Sequence, residues 1–206
     1  MSGDEPLPAV PEARLDGWKR TEAFSETVFE LSAVSVEGHT VVYEDDQRRT
    51  AVRDATDGAL DRMWRFFFAT RLDFSPPLPP GVGPAAVFST VASKAGDQFV
   101  DILRDRGFAA VSEGRRERIR VETGDRARLR RYNAEVTVDG VPGEGTVTLP
   151  TAGLLAVWTV DSEFRLAGGA YPARPLAEVL GLSSGIADAD PDEDRDDLLG
   201  LIRAVR

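Results

Sequence analysis

Polar and apolar residues alternate over much of this chain, the signature of strands with one face buried. From Thr27 to Val36, Val28, Leu31, Val34 and Val36 sit among serines and glutamates, and Glu37-Gly38-His39 separates them from Thr40-Val41-Val42-Tyr43. A strand, a turn and a second strand are predicted there. Asp45-Asp46 offers an N-cap to a short helix over QRRTAVRDATDG, with Gly58 ending it. Between Met63 and Phe74 the residues Trp64, Phe66, Phe68, Leu72 and Phe74 recur at period two, opposite Arg65, Arg71 and Asp73. A helix starting near Asp57 would also align Leu60, Trp64, Phe67 and Phe68, so periodicity leaves both open, and aromatic density favours the strand. The prolines of SPPLPPGVGP end this element, and Pro84 suits the first turn of a helix. That helix, PAAVFSTVASKAGDQFVDILRD, carries Val87, Val91, Phe99, Ile102 and Leu103 at helical spacing and stops at Gly107.

Thereafter the pattern predicts sequential hairpins: strands 116–121, 127–138, 154–160 and 164–171, joined by Thr123-Gly124, a Gly/Pro loop through Gly145 and Asp161-Ser162. PLAEVLG adds a helical turn or two, ADADPDEDRDD an acidic connection, and DDLLGLIRAVR a terminal amphipathic helix. The expected fold class is α+β, a largely antiparallel sheet with one long central helix packed on a face. The expected organisation is a disordered tail over 1–17, one domain over 18–182, an acidic linker over 183–197 and the short helix over 198–206.

Composition narrows the chemistry. At 206 residues and 42% hydrophobic, with ten Phe, the chain has enough apolar material for one core without staples. It contains no cysteine, which removes thiolate nucleophiles, disulfides and Cys-based metal sites. The acidic, proline-bearing start MSGDEPLPAVPEARLDG lacks the positive and apolar regions of a secretory signal, and no apolar run is long enough to span a bilayer, so a soluble, cytoplasmic protein is expected. Net charge is −10, and Lys19 and Lys94 are the only lysines among 25 basic residues. An Asp-rich, Lys-poor surface suits multimolar salt, although a GC-rich genome favours the same residues; a halophilic setting is expected.

Most catalytic routes lack their residues. His39 is the only histidine and falls in the predicted turn, where a solvent-exposed role is expected, and one His cannot build a His-rich metal site. No G-x-S-x-G elbow occurs for a Ser-His-acid triad. PGVGPAA has no Lys-Ser/Thr after its glycines, and Pro84 removes an amide donor, so it punctuates loop and helix and does not cradle phosphate. Gly168 and Gly169 of GGAYP suggest a β-bulge, and PPLPP a rigid connector. The acidic run from Asp188 to Asp197 lacks the glycine and terminal glutamate of a calcium loop. No catalytic residue, metal ligand or cofactor is expected.

Two features stand above this background. A three-residue loop with Gly124 left-handed puts Arg116, Arg118, Arg120, Arg126, Arg128 and Arg130 on one hairpin face and Ile119, Val121, Ala127 and Leu129 on the other. Six guanidinium groups can grip phosphates or carboxylates, or be neutralised by neighbouring Asp and Glu. In molar salt, where the Debye length is about 3 Å, a basic stripe attracts little nucleic acid at a distance. The second feature is the stripe Leu198, Leu201, Ile202 and Val205, which is too short to be helical alone and must dock on its own domain, fray, or meet a protein partner or second copy. A binding or accessory domain is the expected function, the alternatives being anion or nucleic-acid binding through the hairpin 116–130 and an enzyme whose carboxylates and arginines meet only in three dimensions.

WRFFFATRLDFSPPLPPGVGP, GDRARLRRY and LLAVWTV with FRLAGGAYP resemble segments of uncharacterised haloarchaeal proteins, over most of the chain from Trp18 to Tyr171. That resemblance implies a halophilic cytoplasmic origin and brings no activity or site residues. More distantly, the order of strands and helix resembles the sheet-and-helix sandwich of PsbP-like and Mog1-like proteins, which implies a binding or assembly role at the level of fold alone.

Overall fold

A computed structural model of the chain describes residues 7–31, 34–183 and 190–206. Seven strands form one sheet: β1 (Trp18–Leu31), β2 (Val34–Asp45), β3 (Phe66–Ser75), β4 (Phe108–Arg120), β5 (Arg126–Val141), β6 (Gly145–Val160) and β7 (Glu163–Pro172). Every neighbouring pair is antiparallel, in the order β1-β2-β3-β7-β6-β5-β4. Around it lie helices α1 (Asp46–Ala55), α2 (Pro84–Asp105), α3 (Leu176–Val179) and α4 (Pro191–Ala204). The α+β class and the antiparallel sheet hold, but helices cover both faces instead of one.

Strand β3 shows why. Phe66, Phe68 and Leu72 join a cluster with Val91, Phe99 and Leu103 of α2 on one face, whereas Phe67 and Ala69 join Leu198, Leu201, Ile202 and Val205 of α4 on the other. A strand buried on both faces reads as a continuous apolar run, which is why 57–74 was ambiguous between strand and helix. A third cluster gathers Val52, Leu60, Trp64, Val136, Val138, Leu149, Leu176 and Leu180, so the segment before β3 also contributes to the core without being strand.

Several boundaries move, each for a local reason. The expected turn at Glu37-Gly38-His39 is the middle of β2, paired with Glu26 and Thr27 on one side and Leu72 and Asp73 on the other. Gly38 is there because a Cβ would lie 2.8 Å from Val28 Cγ1 and 3.1 Å from Thr70 Cγ2. Gly168 and Gly169 likewise sit in regular register, not at a bulge, where a Cβ would collide with the Leu154 and Phe66 carbonyl oxygens. Helix α1 starts from Asp45, whose carboxylate accepts the Arg48 amide at 2.9 Å, and ends with left-handed Gly58 donating to the Arg53 carbonyl.

The two termini depart most from expectation. Residues 7–17 contain a single 3-10 turn (Glu12–Arg14), and Leu7, Val10 and Leu15 pack against the core, while Ala9 and Arg206 exchange backbone hydrogen bonds of 3.1 and 3.0 Å. Residues 1–6 lie outside the described residues. Helix α4 begins at Pro191, inside the expected acidic linker, because Asp190 caps it by accepting the Asp192 amide and because acidic residues in a first turn complement the helix dipole. Its apolar stripe is taken up by the chain's own sheet: Leu198, Leu201, Ile202 and Val205 are 0, 1, 0 and 0% exposed.

A buried ion-pair network fastens α4. Arg65 donates to the Asp194 carbonyl and the Asp197 carboxylate, each at 2.8 Å, and stacks 4.8 Å from the Trp18 ring. Arg48 forks onto the Asp194 carboxylate, with one bond of 2.8 Å. Burial opposes the Arg48 charge, but the hydrogen bond and field of Asp194, with Asp45 and Asp197, hold its pKa above the ordinary value. Asp194→Ala leaves two buried guanidinium groups short of a partner and is expected to cost about 3–5 kcal/mol. Ile202→Ala is expected to cost about 2–5 kcal/mol through its cavity. Urea unfolding checks both; losses near zero would mean that α4 is not integral to the fold.

Candidate functional site

Helix α2 packs against β4, β6 and β7. Beside it, over β1, β2 and β3, an apolar cavity of about 110 Å³ opens to the surface. Its wall is β1, where a register shift between Thr27 and Phe29 lets the consecutive residues Val28 and Phe29 both reach the cavity. Phe68 and Leu72 of β3 form its floor with Val42 and Leu166, and Ala95, Phe99 and Ile102 of α2 form the opposite wall. The buried hydroxyls of Thr40 and Thr70 also line it but hydrogen-bond each other at 2.9 Å, so the floor presents few free polar groups.

Charged side chains stand at the ends, with Gln98 of α2 between them. Glu26 pairs in register with Gly38, which pairs with Leu72, whereas Arg106 lies at the Phe66 end with its guanidinium 4.9 Å from that ring. At 3.3 Å per residue the two ends are roughly 20 Å apart. Arg106 meets the exposed carboxylate of Glu22 at a long 3.4 Å and Met63 Sδ at 3.8 Å. Past Arg106 and Phe66, which line both spaces, a shallower pocket is formed by Arg62, Met63, Trp64 and Phe108. Arg62 donates to the Thr137 carbonyl at 3.1 Å and lies 5.5 Å from the Trp64 ring; burial pushes its pKa below the ordinary value, with Asp139 opposing.

The arginine hairpin lies on the far flank of α2. Arg116, Arg118 and Arg120 stand directly opposite Arg130, Arg128 and Arg126, and Gly124 turns the chain with φ +97°. The other face holds Val121, Ala127 and Leu129 in the core, with Ile119 packed against it. Neutralisation is uneven. Arg116 and Arg130 both reach Glu113, the latter at 3.4 Å, while Arg120 donates to the Gly124 carbonyl at 2.8 Å. Arg128 stacks 4.7 Å from Phe88 and meets Ser89 Oγ at 3.3 Å. Arg118 and Arg126 are exposed and have no ion pair among the described residues.

The structure also assembles a row that motif reasoning missed. His39 is 6% exposed, not a turn residue, and bridges two strands: Nδ1 lies 2.7 Å from Ser25 Oγ on β1 and Nε2 3.1 Å from Asp73 Oδ2 on β3. If Asp73 accepts from Nε2–H, Nδ1 is left to accept the Ser25 hydroxyl proton, the proton path of an activated serine. The signal was hidden because the three residues meet only through strand pairing. Acyl transfer also needs donors aimed at a developing oxyanion. The cations at the other end of this row do not supply them: Arg71 and Arg165 both turn to Glu163, at 3.2 and 3.0 Å. The contacts of the row link β1, β2, β3 and β7. Fluorophosphonate probes are expected to leave Ser25 unmodified, and Ser25→Ala to cost about 1 kcal/mol in urea unfolding. Labelling that disappears in Ser25→Ala and His39→Ala would instead make it an acyl-transfer site.

Among the described residues no group of three or more His, Asp and Glu is placed to hold a metal ion, and no helix is long and apolar enough to cross a membrane. No curated protein and no solved structure matches the chain significantly. Residues 7–206 match the family described as a domain of unknown function, DUF6517, a span that takes in the docked N-terminal segment, the whole sheet and α4, and the chain belongs to that family.

Proposed function

We propose that the protein is a binding module whose ligand places a slender apolar group in the groove between α2 and strands β1–β3. The observation that carries this is the cavity itself, predominantly apolar and open to the surface. Its 110 Å³ is on the order of the ~150 Å³ apolar cavity that admits benzene, which suits an alkyl chain or single ring and is small for a polycyclic cofactor. The arginine-rich, lysine-poor composition supports a salt-adapted setting, in which hydrophobic contacts keep their strength while exposed charges are screened. Titration with 1-octanol is expected to give saturable NMR shifts at the methyl groups of Val42, Leu72, Leu155 and Leu166. Gln98→Trp, which fills the groove from a half-buried position on α2, is expected to abolish them without lowering the melting temperature. Identical titrations for the two proteins would overturn the proposal.

A second reading, anion binding by the hairpin face, is favoured by the three opposed arginine pairs and by Arg118 and Arg126 standing without carboxylates among the described residues. Like charges directly opposite destabilise a sheet, so these two arginines detract from stability where no anion is bound. Arg118→Gln with Arg126→Gln is expected to elute earlier from a heparin column while unfolding at equal or higher urea. Unchanged elution at matched salt would retire this reading; earlier unfolding would assign the pair a structural role.

A further inference from the structure

We infer that the groove's ligand is a single-chain alkyl carboxylate, its apolar chain along β3 and its carboxylate held by Arg106 and Arg62 at the Phe66 end. This rests on the groove being a ligand site and adds the chemistry of the head. The asymmetry of the groove carries it. At one end two half-buried guanidinium groups each lie over an aromatic ring, Arg106 on Phe66 and Arg62 on Trp64, in adjoining pockets that share Phe66 and Arg106. At the other end stands Glu26, which disfavours an anion there and sets the direction of the chain.

The guanidinium groups also lack strong partners. Arg106 has one long contact to an exposed carboxylate, Glu22, and an exposed pair of that kind contributes little and is readily exchanged. Arg62 has no carboxylate within salt-bridge distance among the described residues and gives one bond to a carbonyl. Its depressed pKa agrees with a cation whose desolvation outweighs the field of Asp139. Planar guanidinium groups pair with a carboxylate through two parallel bonds, and an aromatic face holds them in orientation beforehand. A singly charged head also suits the surroundings better than a phosphate, because Glu22 and Asp139 already contribute negative charge near these two arginines.

Octanoate, 1-octanol and octylammonium share one chain and differ in the head, so NMR titration of the full-length protein with each separates the two levels of the proposal. Octanoate is expected to bind about tenfold more tightly than octanol, as charged hydrogen bonds to a buried partner provide, with octylammonium weakest. Arg106→Gln is expected to bring octanoate down to octanol's affinity and leave octanol unchanged. Arg62→Gln, which gives up a bond to one carbonyl, tests the same point if Arg106→Gln fails to fold. Equal affinity for octanoate and octanol, or a preference for octylammonium, would overturn the carboxylate inference and leave the groove intact. Absence of methyl shifts with all three ligands would overturn the groove itself, and the inference with it.

Discussion

The sheet is wider than any helix in the chain can cover. Seven strands at about 4.8 Å spacing span roughly 30 Å, whereas one helix with its side chains is about 10–12 Å across. On one face α2 shields the β4, β6 and β7 side, and the remainder must be closed by other means. The third cluster, with α1, α3 and the segment around Leu60 and Trp64, closes part of it. Over β1–β3 the strand itself contributes: with two register shifts in β1, Phe24, Val28 and Phe29 all line the space beside α2. What they do not fill is the groove.

The opposite face meets the same limit with both ends of the chain. Helix α4 covers the middle of the sheet, and residues 7–17 lie beside it, tied through Ala9 and Arg206. Hydrophobic burial supplies the attraction, but it is non-directional. Arg48, Arg65, Asp45 and Asp194 supply direction, with the exposed Asp197 at the margin, since buried charges tolerate few arrangements. Their desolvation offsets much of the Coulombic gain, so their chief effect is to penalise any placement of α4 that leaves a charge unpaired. In a chain of net charge −10, drawing Asp194 into contact with two arginines also removes repulsion that an exposed acidic helix start would feel.

Legibility followed the range of the interaction. Helix α2 was plain from its spacing and from Pro84, and the opposition of arginines across Gly124 follows from a turn of three residues. Misreadings arose where a residue answers to a distant contact. Gly38 looks like a turn but makes room for Val28 and Thr70; His39, its neighbour, looks exposed but is buried between Ser25 and Asp73. The start of β6 hides behind its turn residues: Val147 and Leu149 alternate with Thr146 and Thr148, but Gly143, Gly145 and Pro150 flank them closely, and pairing to β5 holds the segment as strand. The acidic run looked like a solvated linker because Asp is a poor helix former in the interior, yet at a helix start it is favourable. Nothing local announces the groove, whose walls come from β1 and α2, remote in sequence and brought together only by the fold.

Helix α2 also separates the two candidate binding features. On one flank Ala95, Phe99 and Ile102 line the groove; on the other, Phe88 and Ser89 meet Arg128, and Gly96 leaves the space that Arg130 and Tyr132 occupy, since a Cβ there would lie 2.3 Å from Arg130 Nη1. The same helix therefore needs small residues on both flanks, alanine toward the groove and glycine toward the arginines. A bulkier residue at Gly96 would press the far ends of the Arg130 and Tyr132 side chains away from α2. The two features are thus chemically distinct, one apolar and one cationic, and both are built against a single helix.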